Sequence, residues 1–493
     1  MRKTVAWIFG AIAIALFLIL GASGSLPIWA GRAKHYTELT FPPLADVQLP
    51  EYERFQLENG LVAYLIEDRE LPLVSGRMLV RTGDRLEPAD KVGLAGMVGS
   101  VMRASGTRSH GPEELNQLLE QRAASVETAI STAAGSAGFS ALSEDLETVF
   151  ELFAEVIRQP RFGAPQFELV KTQLRGQIER RNDDPDGIAS RELRKAIYGA
   201  DSPYARTIES DTIAAVSLED LSAFYRRYFT PERSILGIIG DFDTEQMRSL
   251  VETYFGDWHP SPAALDSGDS DPLPSVQQLQ SGKIAIADRP QLTQSSVLMG
   301  HLGGQLDDND YAALSVLNSV LNGFGGRLFN EVRSRQGLAY TVFAAWSARY
   351  DYPGLFLAGG QTQTETTAQF IRSVRAELER LQSAPISAEE LAYAKDSTLN
   401  SFVFNFQDPS QTLSRLLRYE YFDYPEDFIF RYRQAVEAVT AADVLRVARD
   451  RLKPEDMVTV VVGQANAIES ALTELSPDHS IERIELDATV AIR

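Results

Sequence analysis

Two stretches of this 493-residue chain repeat each other at a constant offset of 223 residues, from Ser217 to Thr440 and from Pro231 to Pro454. Ala215-Val216-Ser217-Leu218-Glu219-Asp220 is matched by Ala438-Val439-Thr440-Ala441-Ala442-Asp443, and Pro231-Glu232 by Pro454-Glu455. Ile235-Leu236-Gly237-Ile238-Ile239-Gly240 is then matched by Val458-Thr459-Val460-Val461-Val462-Gly463. Each copy reads as a helix opened by a hydroxyl N-cap with an acid at its third position, a proline turn, and a buried strand ending in glycine. A polar, proline-rich, non-periodic stretch from Ser261 to Pro274 lies between the copies and reads as a linker. The chain is therefore read as two copies of one α/β unit, roughly 50–260 and 280–470.

Local signals fill in the first copy. Phe55–Glu58, Asn59-Gly60 and Leu61–Ile66 form a hairpin pattern, and Leu73–Val80 reads as a further strand. Helical periodicity covers Val92–Met102, Pro112–Ala123, Leu142–Arg158 and Gln166–Arg181. Asp183-Asp184-Pro185-Asp186-Gly187 is expected to be a loop, as is Gly300-His301-Leu302-Gly303-Gly304. The aromatic run Tyr419–Tyr424 is read as half-buried packing rather than a binding site.

The N-terminus carries a different signal. Arg2 and Lys3 precede a stretch without charge from Thr4 to Gly31, almost wholly apolar over Val5–Leu20. A basic start followed by an apolar run reads as an export signal, and with Gly21–Ala30 added it is just long enough to span a bilayer. Residues 1–30 are thus expected to be a signal peptide or a retained membrane anchor, followed by a proline-containing lead-in over 31–54. In either case the body of the chain is expected outside the cytoplasm, exported and possibly held at the membrane.

Composition narrows the chemistry. The net charge of −21 argues against a nucleic-acid partner, which needs a basic footprint. With no cysteine, disulfides, thiolate nucleophiles and thiolate-bound metals are excluded. The five histidines, at 35, 110, 259, 301 and 479, never fall within a helical turn of one another, so no HExxH or HxxEH zinc helix is present. Nor is there a Gly-x-Ser-x-Gly nucleophile elbow, and Gly323-Phe324-Gly325-Gly326 is not followed by the Lys-Ser/Thr of a phosphate loop.

Two segments nevertheless carry a resemblance. Gly93-Leu94-Ala95-Gly96-Met97-Val98-Gly99-Ser100, ending at Gly106-Thr107, resembles the first helix of the insulinase/pitrilysin-like (inverzincin) metallopeptidases, which include the mitochondrial processing peptidase. In catalytic members Gly-Leu-Ala is followed by His-x-x-Glu-His. Here the two histidine positions are Gly96 and Ser100 and the glutamate position is Gly99. The family's third ligand, a glutamate, falls in the neighbourhood of Gln173, Gln177 and Glu179. Gly325-Gly326-Arg327-Leu328-Phe329-Asn330-Glu331-Val332-Arg333 and Gly337-Leu338-Ala339-Tyr340 resemble the family's C-terminal signature. There an arginine and a tyrosine seven residues apart bind the substrate backbone and help to stabilise the tetrahedral intermediate; Arg333 and Tyr340 have that spacing.

The resemblance implies an α+β fold with two homologous α/β-sandwich halves, each an antiparallel-rich sheet covered by helices, facing each other across a cleft. Its N-terminal half (55–260) carries the degenerate zinc site, a linker occupies 261–280, the C-terminal half (281–470) carries Arg333 and Tyr340, and 471–493 form a tail. In some members the zinc motif and the Arg–Tyr pair are divided between two chains. The implied function is the non-catalytic, substrate-binding subunit of a two-chain zinc peptidase acting on peptides. The chain itself then holds no cofactor and no catalytic group; zinc sits in a partner subunit bearing His-x-x-Glu-His. The alternative is a stand-alone peptide-binding or structural pseudoenzyme. Bland readings also stand beside the site residues. Gly96, Gly99 and Ser100 share one helix face and form either a tight packing face or a vacated surface. Arg333 is either part of the pair or a surface salt-bridge partner of Glu331 or a neighbouring acid, and Tyr340 either a ligand-binding group or a core residue.

Overall fold

The computed structural model describes residues 49–259, 273–403, 406, 408–476 and 480–486. The apolar run at 5–30 and most of the expected linker lie outside the described residues. Among the described residues no helix is long and apolar enough to cross a membrane.

Among the described residues two six-stranded sheets carry the fold. The first comprises β1 (Glu53–Gln56), β2 (Val62–Glu67), β3 (Leu73–Val80), β4 (Ser125–Ile130), β5 (Gly135–Leu142) and β6 (Ser234–Gly240), in the order β1-β2-β6-β3-β5-β4. The second comprises β7 (Ile284–Asp288), β8 (Gln294–Leu302), β9 (Ala339–Ser347), β10 (Leu355–Gln363), β11 (Val458–Gly463) and β12 (Glu482–Ile484), in the order β12-β7-β11-β8-β10-β9. In both sheets the third strand runs parallel to the second and antiparallel to the fourth. The repeated segments fall at equivalent places. Ser217 and Thr440 each close a reciprocal capping box with Asp220 and Asp443, and the strands that follow, β6 and β11, sit third in their sheets. The halves diverge at the outer edge, where β1 is antiparallel to β2 but β12 is parallel to β7.

Each sheet packs one face on helices of its own half. Helices Leu94–Ala104, Leu146–Arg158, Leu218–Tyr228 and Thr244–Phe255 share a core with the first sheet, and Tyr311–Leu321, Thr367–Ser383, Ala441–Arg451 and Ala465–Thr473 with the second. The opposite faces are covered reciprocally. Helix Pro185–Tyr198 of the first half lays Ile188, Leu193 and Ile197 on Val458, Val460 and Val462 of β11. Helix Pro409–Tyr421 of the second half lays Leu413, Leu416 and Leu417 on Val62 and Tyr64 of β2 and on Ile235 and Ile239 of β6. This exchange explains why β6 and β11 read as unbroken apolar runs rather than alternating ones, since both of their faces are buried. Gly237 permits the close approach, because a Cβ there would lie 2.8–2.9 Å from the Leu417 and Leu413 side chains. Polar contacts fix the exchanged helices: Glu420 accepts from both nitrogens of the Arg54 fork at 3.1 and 2.7 Å and from the Tyr64 hydroxyl at 2.7 Å.

Three local expectations need correction. The loop expected at 183–187 is the start of helix Pro185–Tyr198. Asp184 is its N-cap, accepting from the Asp186 and Gly187 amides, and Pro185 stands where its missing N–H costs nothing. Leu142 closes β5, and its helix begins only at Leu146. Gly300–Leu302 complete β8 rather than forming a turn, with His301 buried between the Leu302 carbonyl and the Lys453 amide. The aromatic run does pack, with Tyr419 and Tyr421 both buried.

Candidate functional site

The segment aligned with a zinc helix is a real helix, Leu94–Ala104, entered through Gly93 at φ +104°, a conformation glycine adopts without strain. Leu94, Ala95, Met97, Val98, Val101 and Met102 are buried in the core of the first half. The three aligned positions lie on the remaining face and have different surroundings. A Cβ on Gly96 would have no neighbour within 4 Å. A Cβ on Gly99 would stand 2.8 Å from the Ile130 amide nitrogen and 2.9–3.0 Å from the Ala129 backbone, so β4 lies directly on the helix there. Thr128 Oγ1 donates to the Gly99 carbonyl at 2.5 Å across the same contact. Ser100 is exposed and its Oγ donates back to the Gly96 carbonyl at 3.0 Å. The face is thus divided: Gly99 is a tight packing contact, and a side chain at Gly96 would meet open space.

Gln173, Gln177 and Glu179 are exposed on helix Ala164–Arg180, which packs beside the zinc-type helix. Among the described residues no group of three His, Cys, Asp or Glu side chains converges on a point where a metal could sit. The residues present do not fit zinc: a glycine, a glycine and a serine offer no charged or imidazole donor.

The helix N-terminus holds a buried carboxylate. Glu87 is 5% exposed and accepts from the Gly93 amide at 2.9 Å and the Ala95 amide at 2.8 Å. Burial pushes its carboxyl up to about 7, outweighing the two amides, which favour the charged form. A folded-state value above the ordinary one means that its stabilising contribution is complete below about pH 4.5 and is lost as pH rises through about 7. We expect urea midpoints of Glu87→Gln to vary less than wild type between pH 5.5 and 8, while the variant is weaker at pH 5.5 because one amide loses its acceptor. Identical slopes in the two proteins would show Glu87 to be ionised throughout that range.

The second segment lies in the other half. Phe329–Arg335 form a short, wide-turn π-helix anchored by buried Val332. Gly337, at φ +66°, reverses the chain, and β9 begins two residues later. The preceding loop is tied down by Arg327, whose fork donates to Glu390 at 2.7 and 3.2 Å. Glu331 pairs with Arg335 at 2.7 Å, not with Arg333. The Arg333 guanidinium carbon instead stands 4.7 Å from the ring centres of both Phe329 and Tyr340. A guanidinium between two aromatic faces is held by cation–π attraction, about 0.5–1 kcal/mol per ring where exposed. Tyr340 is 79% exposed, which overturns its reading as a core residue. It stands near the start of β9, the edge strand of its sheet. Phe324, 82% exposed, meets Phe329 edge-on at 5.1 Å. The structure therefore brings Arg333 and Tyr340 together and exposes them. No hydrogen bond, ion pair or ring contact joins them to Gly96, Gly99 or Ser100 among the described residues. Phe329 and Phe324 were not picked out from sequence as parts of this site; the available signal was Phe329 four residues before Arg333, on the same side of a helical turn.

This arrangement, a charged fork and a phenol presented together at a surface, can bind a carbonyl or a developing oxyanion. It supplies no nucleophile and no base.

Comparison with known proteins gives concordant results. Residues 63–211 match the family model described as insulinase (peptidase family M16), and residues 215–398 the model described as peptidase M16 inactive domain. An uncharacterized zinc protease of Mycobacterium leprae is 27% identical over 283 residues, covering 57% of this chain and 62% of that protein. A non-peptidase homolog of Helicobacter pylori is 23% identical over 402 residues, covering 80% of this chain and 90% of that protein. The crystal structure of a peptidase M16 inactive domain from Pseudomonas fluorescens shares the fold, with a TM-score of 0.74 at 24% identity, covering 84% of this chain and 98% of that one. The chain belongs to the insulinase (peptidase M16) family, as a non-catalytic member without the zinc-binding motif.

Proposed function

We propose that this chain is the substrate-binding subunit of a two-chain zinc metallopeptidase acting on peptides, and that it supplies Arg333 and Tyr340 to a zinc site carried by a partner. The observation that carries this reading is an asymmetry within one chain. The zinc helix has lost every ligand, and β4 occupies the space a side chain at Gly99 needs. The Arg–Tyr pair, by contrast, is assembled, stacked and exposed, and its own N-terminal half makes no use of it. A partner of the same family with an intact His-x-x-Glu-His would bring the metal and the attacking water. This chain's part would be to bind the peptide backbone and donate to the oxyanion. We further propose, from the basic and apolar run at residues 2–30, that the complex works outside the cytoplasm, at or near a membrane.

The test is isolation of the tagged chain from its native host under gentle conditions, with identification of co-purifying proteins and measurement of zinc. A stoichiometric His-x-x-Glu-His relative carrying zinc is expected. A lone, zinc-free chain would instead support a stand-alone peptide-binding pseudoenzyme.

A further inference from the structure

Where the two halves meet, the structure leaves a cavity of about 400 Å³, within the size range of small-molecule sites. Its apolar wall includes Leu193 of the exchanged helix and Leu355 of β10. Tyr204 from the first half and Tyr352 from the second stack across it, ring centres 4.2 Å apart and 19° from parallel. Tyr198 closes the group at 5.9 Å from Tyr204, its hydroxyl donating to the Pro353 carbonyl.

The charge in this cavity is unbalanced. Arg194 comes from the exchanged helix and Arg349 from the turn between β9 and β10, and both are exposed. Arg194 donates to the Tyr204 carbonyl, and neither arginine makes an ion pair among the described residues. Among the described residues the one carboxylate in the lining, Asp351, is already paired with half-buried Arg85 at 2.7 Å. Asp84 lies behind, within electrostatic reach of Arg194, Arg206 and Arg85, and burial holds its carboxyl above the usual carboxylate range. Two guanidinium groups without an ion pair among the described residues thus line one cavity in a chain whose net charge is −21. Such a pair is suited to a carboxylate, and the rings and leucines beside it to an apolar body.

We propose that this cavity is a binding site for a small organic carboxylate with an aromatic or aliphatic body, and that the ligand bridges the two halves through Arg194 and Arg349. The site is separate from the Arg333–Tyr340 pair, which stands at the other end of β9, and it does not depend on the peptidase reading.

The test uses the full chain and 3-phenylpropionate as probe, followed by calorimetric titration and by thermal melting. Saturable binding that raises the melting temperature is expected. Acetate, with the charge but no body, and 3-phenylpropionamide, with the body but no charge, are each expected to bind at least about tenfold more weakly. Arg349→Gln is expected to weaken binding of 3-phenylpropionate about tenfold or more while leaving the melting temperature of the free protein unchanged. Arg194→Gln tests the other half of the site. Equal binding of the amide, absence of saturable binding, or full affinity in both arginine variants would overturn the proposal.

Discussion

Gly99→Ala is expected to lower the melting temperature of this protein and Gly96→Ala to raise it, although the two glycines lie three residues apart on the same helix. Both substitutions gain about 1 kcal/mol of intrinsic helix propensity. At Gly96 nothing opposes the gain, because the new methyl group meets no atom within 4 Å. At Gly99 the methyl group would stand 2.8–3.0 Å from the backbone of Ala129 and Ile130. Backbone cannot swing aside as a side chain can, so the helix and β4 must separate. That strains the Thr128–Gly99 hydrogen bond and opens the core beneath it. Overpacking of this kind costs about 1–3 kcal/mol, which exceeds the propensity gain, and about 2–4 °C is lost per kcal/mol in a unit of 150–250 residues. Gly99→Glu adds four more heavy atoms at the same point and is expected to cost upwards of about 3 kcal/mol. It follows that Gly96→His, Gly99→Glu and Ser100→His together will not recreate a working zinc site, since the glutamate at position 99 requires moving a strand and the distant third ligand is still missing. Differential scanning calorimetry of the alanine pair and metal analysis of the triple variant decide the matter. A Gly99→Ala protein as stable as wild type would show that the close approach is not there.

How much of this was legible in the sequence depends on the range of the interaction concerned. The duplicated unit was visible because a capped helix, a proline turn and a buried strand are local patterns, and the same spacing recurs at Ser217 and Thr440. The hairpin around Asn59-Gly60 and the strand Leu73–Val80 were visible for the same reason, and β3 has the expected bounds. What stayed hidden were relations between distant residues. The apolar run Ile235–Ile239 announced burial on both faces but could not say that the second cover would be Leu413 and Leu417, nearly two hundred residues on. Asp183–Gly187 reads as a loop because Asp, Pro and Gly are turn residues. The same residues also open a helix, and only the apolar spacing of Ile188, Leu193 and Ile197 separates the two outcomes. At the candidate site the spacing of Arg333 and Tyr340 was legible, while the role of Phe329 was not. A seven-residue spacing does not show which ring lies under a guanidinium. Nor could two glycines on one face reveal that one is crowded and the other free, because the crowding comes from β4.

The largest functional effect is expected at the Arg–Tyr pair. If the proposed complex with a zinc-bearing partner forms, Arg333→Ala should lower its kcat/KM on a peptide substrate about 10²–10³-fold, the loss typical of a removed oxyanion donor. Arg333→Lys should recover little of it. A lysine has no planar fork for two parallel hydrogen bonds and cannot lie flat between the Phe329 and Tyr340 rings as the guanidinium does. Tyr340→Phe separates two roles of the tyrosine. It keeps the ring that holds Arg333 and removes only the O–H, so a loss of about tenfold or more assigns the hydroxyl to substrate, while an unchanged rate assigns Tyr340 to orienting the arginine. Phe329→Leu works from the other side. It leaves every donor in place but removes one wall of the stack, so it is expected to act on Arg333 alone and to have little further effect once Arg333 is alanine. None of these side chains belongs to a buried core: Phe329 is half-buried and Tyr340 is mostly in solvent. Assembly measured by size-exclusion chromatography and zinc content should therefore match wild type in each variant. Unchanged turnover in Arg333→Ala with assembly intact would remove the pair from catalysis and leave an exposed aromatic stack whose occupant must be sought elsewhere. A loss of kcat/KM with assembly and metal preserved is the outcome expected of a donor that reaches substrate in the proposed shared site.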